Sequence, residues 1–270
     1  MLAVLRKELH DAVRGRWLIA FAASFAVLAL FLSVLQRGGE EVGAEGFTRT
    51  TAGLLNLCLL LIPLLALVLG AGSIAGERDR GTLVTLLSQP ISHSELLLGK
   101  YAGLLVAVWL AVLGGFGVAG LLAALLSPLA DVEHYLLFVG LSGVLASAML
   151  SVGLLVSVLS DGRVKAMTAA ILIWFVFVLF YDLGAIGLAL HVTSSGQSLL
   201  VAALGNPVES IRILAILSLE PDPTVLGPLG SYLSQELGKF WSVALLCAGI
   251  MAWTLAPLAA AILVFRRQDA

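Results

Sequence analysis

The sequence predicts an all-α integral membrane protein with six transmembrane helices and both termini in the cytoplasm. Hydrophobic residues make up 60% of the 270 positions and charged residues only 12%, about half the charged fraction of a soluble domain. So little charge cannot cover the surface of a soluble globule of this size. The apolar residues are grouped into six long runs separated by charged segments, which indicates a single membrane domain over 1–270.

Residues 1–16 form an amphipathic segment before the first apolar run. Its apolar and charged residues fall on opposite helical faces: Leu2, Leu5, Leu9 and Ala12 or Val13 against Arg6, Lys7, Asp11 and Arg14. A signal peptide is the competing interpretation, but no small-x-small cleavage site follows cleanly. A helix lying along the inner membrane surface fits the pattern better.

Each of the six apolar runs has the roughly 20 residues that a helix needs to cross a bilayer. We predict spans at about 17–36, 54–76, 101–127, 135–160, 166–190 and 240–265. The cytoplasmic segments then hold most of the basic residues: Arg6, Lys7, Arg14, Arg16, Arg78, Arg80, Lys100, Arg163, Lys165, Arg266 and Arg267. The positive-inside rule supports this orientation, since the outer loops hold only Arg37, Arg49, Arg212 and Lys239.

The segment 77–99, between the second and third spans, is a charged island with a helical pattern of its own. After the charge cluster 77–80 and a glycine, the spacing i, i+3, i+4 puts three leucines on one face of a short helix: Leu83, Leu86 and Leu87. Such a helix on the water side of two spans indicates a docking element for another protein. We expect the leucine face to contact that protein and the charges to select it.

Two local signals mark the end of this short helix and the start of the next. Pro90 ends the helix, because the residue before a proline is pushed out of the α region. Ser92 and Glu95 then form a Ser-x-x-Glu capping box at the head of the third span. The segment should therefore contain a helix, a break and a capped helix start.

The outer loop 191–239 is the longest soluble segment. Asn206 and Pro207 precede apolar residues at helical spacing, which predicts a short surface helix with proline in its first turn. Glu209 and Arg212 lie on another face of that helix. Further prolines predict an irregular return to the membrane: Pro221, Pro223 and Pro228.

Asp182 is an ionisable residue within the fifth predicted span. It lies far enough beyond Lys165, at a rise of about 1.5 Å per residue, to be near the outer interface. We interpret it either as a polar residue at the end of the span or as part of a substrate path or outer contact. Asn206, Glu209 and Arg212 are further candidates for the pathway or an outer contact.

No motif for catalysis, metal binding or nucleotide binding is recognised. The closest match to an ATP-binding loop, SELLLGKY at 94–101, has serine where glycine is needed and tyrosine where Ser or Thr is needed. His134 and His191 have no third metal ligand near them in sequence. We therefore expect no enzymatic activity, no metal, no cofactor and no nucleic-acid partner for this chain.

The loop GERDRGTLVTLLSQPISHSELLLGKY resembles that of the permease subunits of type-2 ABC transporters, and LRKELHDAVRGRW and FRRQD match their chain ends. In that family the loop contains the coupling helix, which binds in a groove of a separate cytoplasmic ATPase. The resemblance implies a permease dimer with two ATPase copies, which bind ATP and Mg, in the cytoplasmic (inner) membrane of a bacterium. The coupling residues that match are Glu77, Arg80, Gly81, Thr82, Leu83, Leu86, Leu87 and Pro90.

A closer likeness is to the NosY-like permeases of the nitrous-oxide-reductase maturation transporter. The similar stretches are RKELHDAVRGRWLIAFAASFAVLA, GERDRGTLVTLLSQPISHSELLLGK and GNPVESIRI. This likeness implies a periplasmic β-helical, copper-handling protein on the outer face and a role in assembling a copper–sulfur site. Export of a lipid, drug or other small molecule by a stand-alone transporter is the alternative.

Two other classes of membrane protein compete with an ATP-driven permease. A secondary transporter or channel should carry charged or broken helices near the membrane midplane, and only the off-centre Asp182 is available. A purely structural scaffold would not need the docking segment 77–99. Both are less consistent with the sequence than a permease.

Overall fold

A computed structural model describes residues 2–14, 45–88, 91–126, 132–181, 196–219 and 226–268, and the single positions 23, 27 and 184. Within this part of the chain the regular structure is helical and no strand occurs. The predicted all-α class is therefore confirmed for the described residues. The predicted first span, 17–36, lies almost wholly outside them, as do Pro90 and Asp182.

The first half of the described chain consists of α1 (Leu2–Arg14), α2 (Glu45–Asp79), α3 (Thr82–Leu87), α4 (His93–Leu126) and α5 (Val132–Leu159). The second half contains α6 (Arg163–Phe175), α7 (Gly196–Leu204), α8 (Pro207–Leu219), α9 (Pro228–Ser231) and α10 (Lys239–Phe265). Two of these helices continue in π-helical geometry, α6 over Val176–Phe180 and α9 over Tyr232–Leu237.

Five described helices are long and apolar enough to cross a membrane. They cover Asn56–Asp79, His93–Val118, Tyr135–Leu159, Arg163–Phe180 and Lys239–Phe265, which correspond to the second to sixth predicted spans. The chain is therefore a multi-pass membrane protein. The helices that form the second and third spans are longer than predicted. Helix α2 continues through Asp79, and α4 already starts at His93.

Helix α5 lies at the centre of the bundle and packs against α2, α4 and α10. Its closest approach to α2 is made by Gly70 and Gly153, whose missing side chains let the two backbones meet. A Cβ at Gly153 would lie 2.5 Å from the Leu67 carbonyl oxygen, and one at Gly70 would lie 2.7 Å from that of Leu150. Small residues at such crossings allow the close packing by which membrane helices associate.

Helix α1 lies across the start of α4. Its Leu9 packs against Ala107 and Ala111 of α4, whereas Arg6 and Lys7 are exposed. This is the amphipathic helix that the sequence predicts.

The region of the predicted outer loop is more helical and more buried than expected. Helix α8 starts at Pro207, as predicted, but it packs against α5 and α10 rather than lying on the surface. Its buried residues include the predicted apolar positions Val208, Ile211, Leu214 and Ala215. The expected irregular return is also wrong in part, since Pro228 occupies the first turn of α9, a position that proline tolerates.

Candidate functional site

The last turn of α2 carries three charged residues that each bind a different part of the chain. Glu77 forms an ion pair with the Lys100 Nζ of α4 at 2.9 Å and accepts a hydrogen bond from the Lys7 Nζ of α1 at 3.4 Å. Lys100 also donates to Glu8 Oε1 at 2.7 Å. The Lys100 side chain is 1% exposed and that of Glu77 is 4% exposed, so the centre of this ion network is buried, whereas Lys7 at its edge is 49% exposed.

Arg78 connects the end of α2 to the ends of α5 and α10. Its guanidinium donates to the Ser160 carbonyl and, at 2.9 Å, to Gln268 Oε1. The Gln268 amide in turn donates to the Val158 carbonyl at 3.1 Å. Gln268 thus helps to hold the ends of α2 and α5 together.

Asp79 caps the start of α6. Its carboxylate accepts a hydrogen bond from the Arg163 backbone N–H at 2.8 Å, and a carboxylate is favourable at the positive end of a helix. One turn later Lys165 donates to Asp161 at 2.8 Å, and this hydrogen bond holds the pKa of the Asp161 carboxyl below its usual range. The Asp161–Lys165 pair is exposed and lies within one helix turn.

These contacts correct the expected role of the charge cluster 77–80. Glu77 is 3% exposed, so in this conformation it cannot contact another protein. Arg78 and Asp79 bind groups of their own chain. Asp79 and Arg80 are exposed, and Asp79 already binds the start of α6, so Arg80 is the exposed residue of the cluster for which no contact is described.

A short helix, α3, follows the cluster, as the sequence predicts. Gly81 precedes it with φ of 69°, a left-handed conformation that favours glycine. The Thr82 hydroxyl donates to the Glu77 carbonyl at 3.3 Å and so holds the helix start against the end of α2.

The apolar face of α3 points into the chain rather than away from it, which corrects the expected orientation. Leu83 is 8% exposed, and Leu86 and Leu87 are half-buried against the core of the same chain. Val84 is 66% exposed and Thr85 is also exposed. The surface that α3 offers to another protein is therefore centred on Val84.

A cavity of about 180 Å³ opens beside α3. Its lining is mostly apolar, with a few polar groups at the rim: Arg78, Gly81, Leu83, Val84, Leu87, His93, Phe265 and Gln268. His93 and Phe265 meet edge to face with ring centroids 5.4 Å apart. The cavity lies between α3, the start of α4 and the end of α10.

The predicted capping box at the head of α4 is confirmed. The Glu95 backbone N–H donates to Ser92 Oγ at 3.2 Å, and the Ser92 backbone N–H donates to Glu95 Oε2 at 3.0 Å. These are the two reciprocal bonds that define the motif.

Of the second predicted set, Asp182 lies outside the described residues, and Asn206 binds near the π-helical end of α6, about 20 Å from the start of that helix. The Asn206 side chain donates to the Phe177 carbonyl at 2.7 Å, and its oxygen accepts from the Val208 backbone N–H at 2.9 Å. Asn206 therefore caps α8 and joins it to α6.

Arg212 and Glu209 form an ion pair at 2.8 Å within α8. Among the described residues no three metal-ligating side chains converge.

Comparison with known proteins identifies the family. Residues 2–270 match a family described as "ABC-2 family transporter protein". The chain belongs to this ABC-2 family. It is also 36% identical to a protein of Stutzerimonas stutzeri described as "Probable ABC transporter permease protein NosY", over 98% of this chain and 97% of the relative. A protein of Pseudomonas aeruginosa with the same description is 35% identical over the same shares.

Membership in the ABC-2 family confirms the resemblance that the loop motif and the chain ends indicate. Proteins of this kind are the membrane components of ABC transporters and work with a separate ATPase. The chain is therefore a permease component rather than the ATPase itself.

Sequence reasoning missed the partners of Glu77, which are Lys7 and Lys100, and the second carboxylate on Lys100, which is Glu8. Lys100 directly precedes an apolar run, and a lysine in that place is usually counted as an interfacial anchor. The ion network could have been anticipated from the cost of placing the Lys100 ammonium group at the end of a buried helix, because such a group requires a carboxylate partner. The sequence offers several carboxylates and does not say which one is near.

We expect Asn206→Ala to lower the free energy of unfolding by about 1–2 kcal/mol, because it removes the cap of α8 and leaves buried backbone groups without partners. Denaturant titration of the purified protein, followed by tryptophan fluorescence, measures the change. Asn56→Ala is the matched control, since Asn56 is exposed. Equal effects of the two substitutions would contradict this account of Asn206.

Proposed function

We propose that this ABC-2 permease transmits the work of a cytoplasmic ATPase to its spans through the segment 77–99, which we call the coupling segment. The observation that carries the proposal is the geometry of α3. This helix exposes Val84 at the charged end of the bundle, while Glu77 before it and Lys100 after it bind each other at 2.9 Å. A push on α3 would therefore reach α2 and α4 together.

The docking surface that we propose differs from the leucine face expected from the sequence. Val84, Thr85 and Arg80 are exposed and would contact the ATPase, with the adjacent cavity receiving one apolar side chain of that subunit. Leu83 acts by holding α3 in place. Leu86 and Leu87, which are half-buried, contribute mainly in the same way.

We expect Val84→Asp to abolish stable capture of the ATPase while leaving the permease in the membrane. An exposed residue can be replaced without damage to the core, but an aspartate in an apolar docking surface would be buried without a partner. Co-purification of the ATPase with the tagged permease measures the effect, with a loss of at least about tenfold expected, or roughly 1.4 kcal/mol.

Val164→Asp is the matched control for Val84→Asp. Val164 is a 77% exposed valine at the same end of the bundle but outside the coupling segment, and we expect it to retain the ATPase. Normal ATPase capture by the Val84→Asp permease would place the docking surface elsewhere.

We further propose that the complete transporter contains two permease copies and two ATPase copies in the inner membrane of a bacterium. Support for a second permease copy comes from α6 and α10, which are only slightly covered by the rest of the chain. Their exposed apolar residues fit either lipid or a second copy: Ile171, Leu172, Val176, Phe180, Met251, Leu255 and Leu263.

For the cargo we propose a role in assembling the copper–sulfur site of nitrous oxide reductase. The support is the 36% and 35% identity to two proteins described as NosY over nearly the whole chain. A periplasmic β-helical partner would handle the copper on the outer face. The second candidate is a stand-alone exporter of a lipid, drug or other small molecule, because the permease fold alone suits both.

Affinity purification of the tagged permease from its native membrane, followed by mass spectrometry, separates these candidates. An ATPase together with a periplasmic β-helical protein would support the maturation role. An ATPase alone would favour the stand-alone exporter. Recovery of the permease without any ATPase would contradict the proposed function as a whole.

A further inference from the structure

The buried ion network at the base of the coupling segment includes a residue from each of three helices. Lys100 of α4 is bound by Glu8 of α1 at 2.7 Å and by Glu77 of α2 at 2.9 Å. Lys7 of α1 lies 3.4 Å from the same Glu77 carboxylate. Two positive and two negative side chains are thus balanced, and Lys100 is the member that touches both carboxylates within hydrogen-bonding distance.

Stability alone is a poor explanation for this arrangement. Burying an ion pair involves a large desolvation penalty, and well-packed apolar residues of similar size often do as well or better. What apolar residues do not supply is a directional link between specific groups on different helices. The network therefore fits a positioning role, in which it fixes α1 relative to the two ends of the coupling segment.

Packing next to the network holds α1 close enough for this link. A Cβ at Gly103 of α4 would lie 2.7 Å from Glu8 Cβ and 2.8 Å from the Leu5 carbonyl oxygen, so α1 rests directly on the α4 backbone. Leu9 extends the contact by packing on Ala107 and Ala111. The contact between α1 and α4 therefore extends along α4 from Lys100 to Ala111.

We propose that Lys100 is the positioning residue through which α1 follows the coupling segment when the ATPase acts. This inference rests on the proposed function, because it assigns α1 to the part of the permease that the ATPase moves. Glu77 and Lys100 close the base of the coupling segment, and Glu8 attaches α1 to that closed base. A displacement of α3 then changes the position of α1 in the membrane interface as well as those of α2 and α4.

The test compares two distances in the complex purified with its ATPase, before and after trapping with ATP and vanadate. Spin labels are placed on exposed residues, in one sample on His10 of α1 and Leu172 of α6, and in another on Ser88 and Leu172. Cys247 is exposed and is replaced by alanine in all samples, whereas Cys58 is buried and is retained. We expect trapping to shift both distances in the otherwise unchanged permease.

The decisive variant is Glu8→Gln with Lys100→Met, which removes one charge of each sign and leaves the Lys7–Glu77 pair. We expect the Ser88–Leu172 shift to remain and the His10–Leu172 shift to be lost. The matched control is Asp161→Asn with Lys165→Met, which removes an exposed pair at the start of α6 and should leave both shifts unchanged. Glu8→Met alone, which keeps the Lys100–Glu77 pair but removes the acceptor on α1, should give the same loss and serves if the double variant does not fold.

Two results would overturn the inference. One is a normal His10–Leu172 shift in the variants, and the other is an unchanged permease in which only the Ser88–Leu172 distance responds. Failure of the proposed function has a different signature, since neither distance would then respond to trapping in the unchanged permease.

Discussion

Lys100→Met should lower the free energy of unfolding by about 3–5 kcal/mol, the effect expected when one partner of a buried ion pair is removed. The substitution leaves the Glu8 and Glu77 carboxylates facing the same apolar side chain, with Lys7 as the remaining cation of the network. Lys100 is 1% exposed, so water cannot replace its ammonium group without opening the contact between α1 and α4. Denaturant titration in detergent measures the loss.

Lys165→Met provides the comparison for Lys100→Met, because it breaks an ion pair of similar length that is exposed. Exposed pairs contribute at most about 1 kcal/mol. Glu8→Gln combined with Lys100→Met should recover part of the stability, because it removes one of the two carboxylates that Lys100→Met leaves without this ammonium group. The account of the network would be wrong if Lys100→Met were as mild as Lys165→Met.

Gly153→Val should prevent α2 and α5 from packing in their present arrangement. Even a Cβ at this position would lie 2.5 Å from the Leu67 carbonyl oxygen and 3.0 Å from its Cα. These are backbone atoms, so no side chain can rotate away and the two helices have to separate. We expect a loss of about 3 kcal/mol or more, at the upper end of the range for overpacked sites, measured as folded protein recovered from the membrane and as the unfolding midpoint.

Gly140→Val is the control within the same helix. A Cβ at Gly140 meets nothing within 4 Å, so the added side chain should be tolerated. If both valine variants unfolded equally, the loss would reflect the chemistry of valine in α5 rather than the contact with Leu67.

Features that depend on neighbouring residues in sequence could be predicted. The capping box of Ser92 and Glu95 involves groups three residues apart, and both of its bonds form as expected. The helix after Asn206 was also predictable, because a capping side chain followed by proline and regularly spaced apolar residues determines a helix start locally.

Features that depend on distant parts of the chain could not be predicted. An apolar face on α3 has the same spacing whether it is covered by another protein or by its own chain, and the structure buries Leu83 in its own chain. For the same reason the sequence alone presents Glu77 as a surface charge. Its partners Lys100 and Lys7 come from α4 and α1, and only the packing of these helices against each other and against α2 brings them to Glu77.

The measurement that tests the central claim most directly is photocrosslinking from α3 in the native membrane. A photoreactive amino acid replaces Val84 in one sample and Leu110, an exposed residue of the membrane-spanning part of α4, in another. We expect the Val84 probe to crosslink to a subunit that carries an ATP-binding loop and the Leu110 probe to crosslink to no such subunit. An ATPase that copurifies with the permease but is never crosslinked from position 84 would contradict the assignment of α3 as the coupling contact.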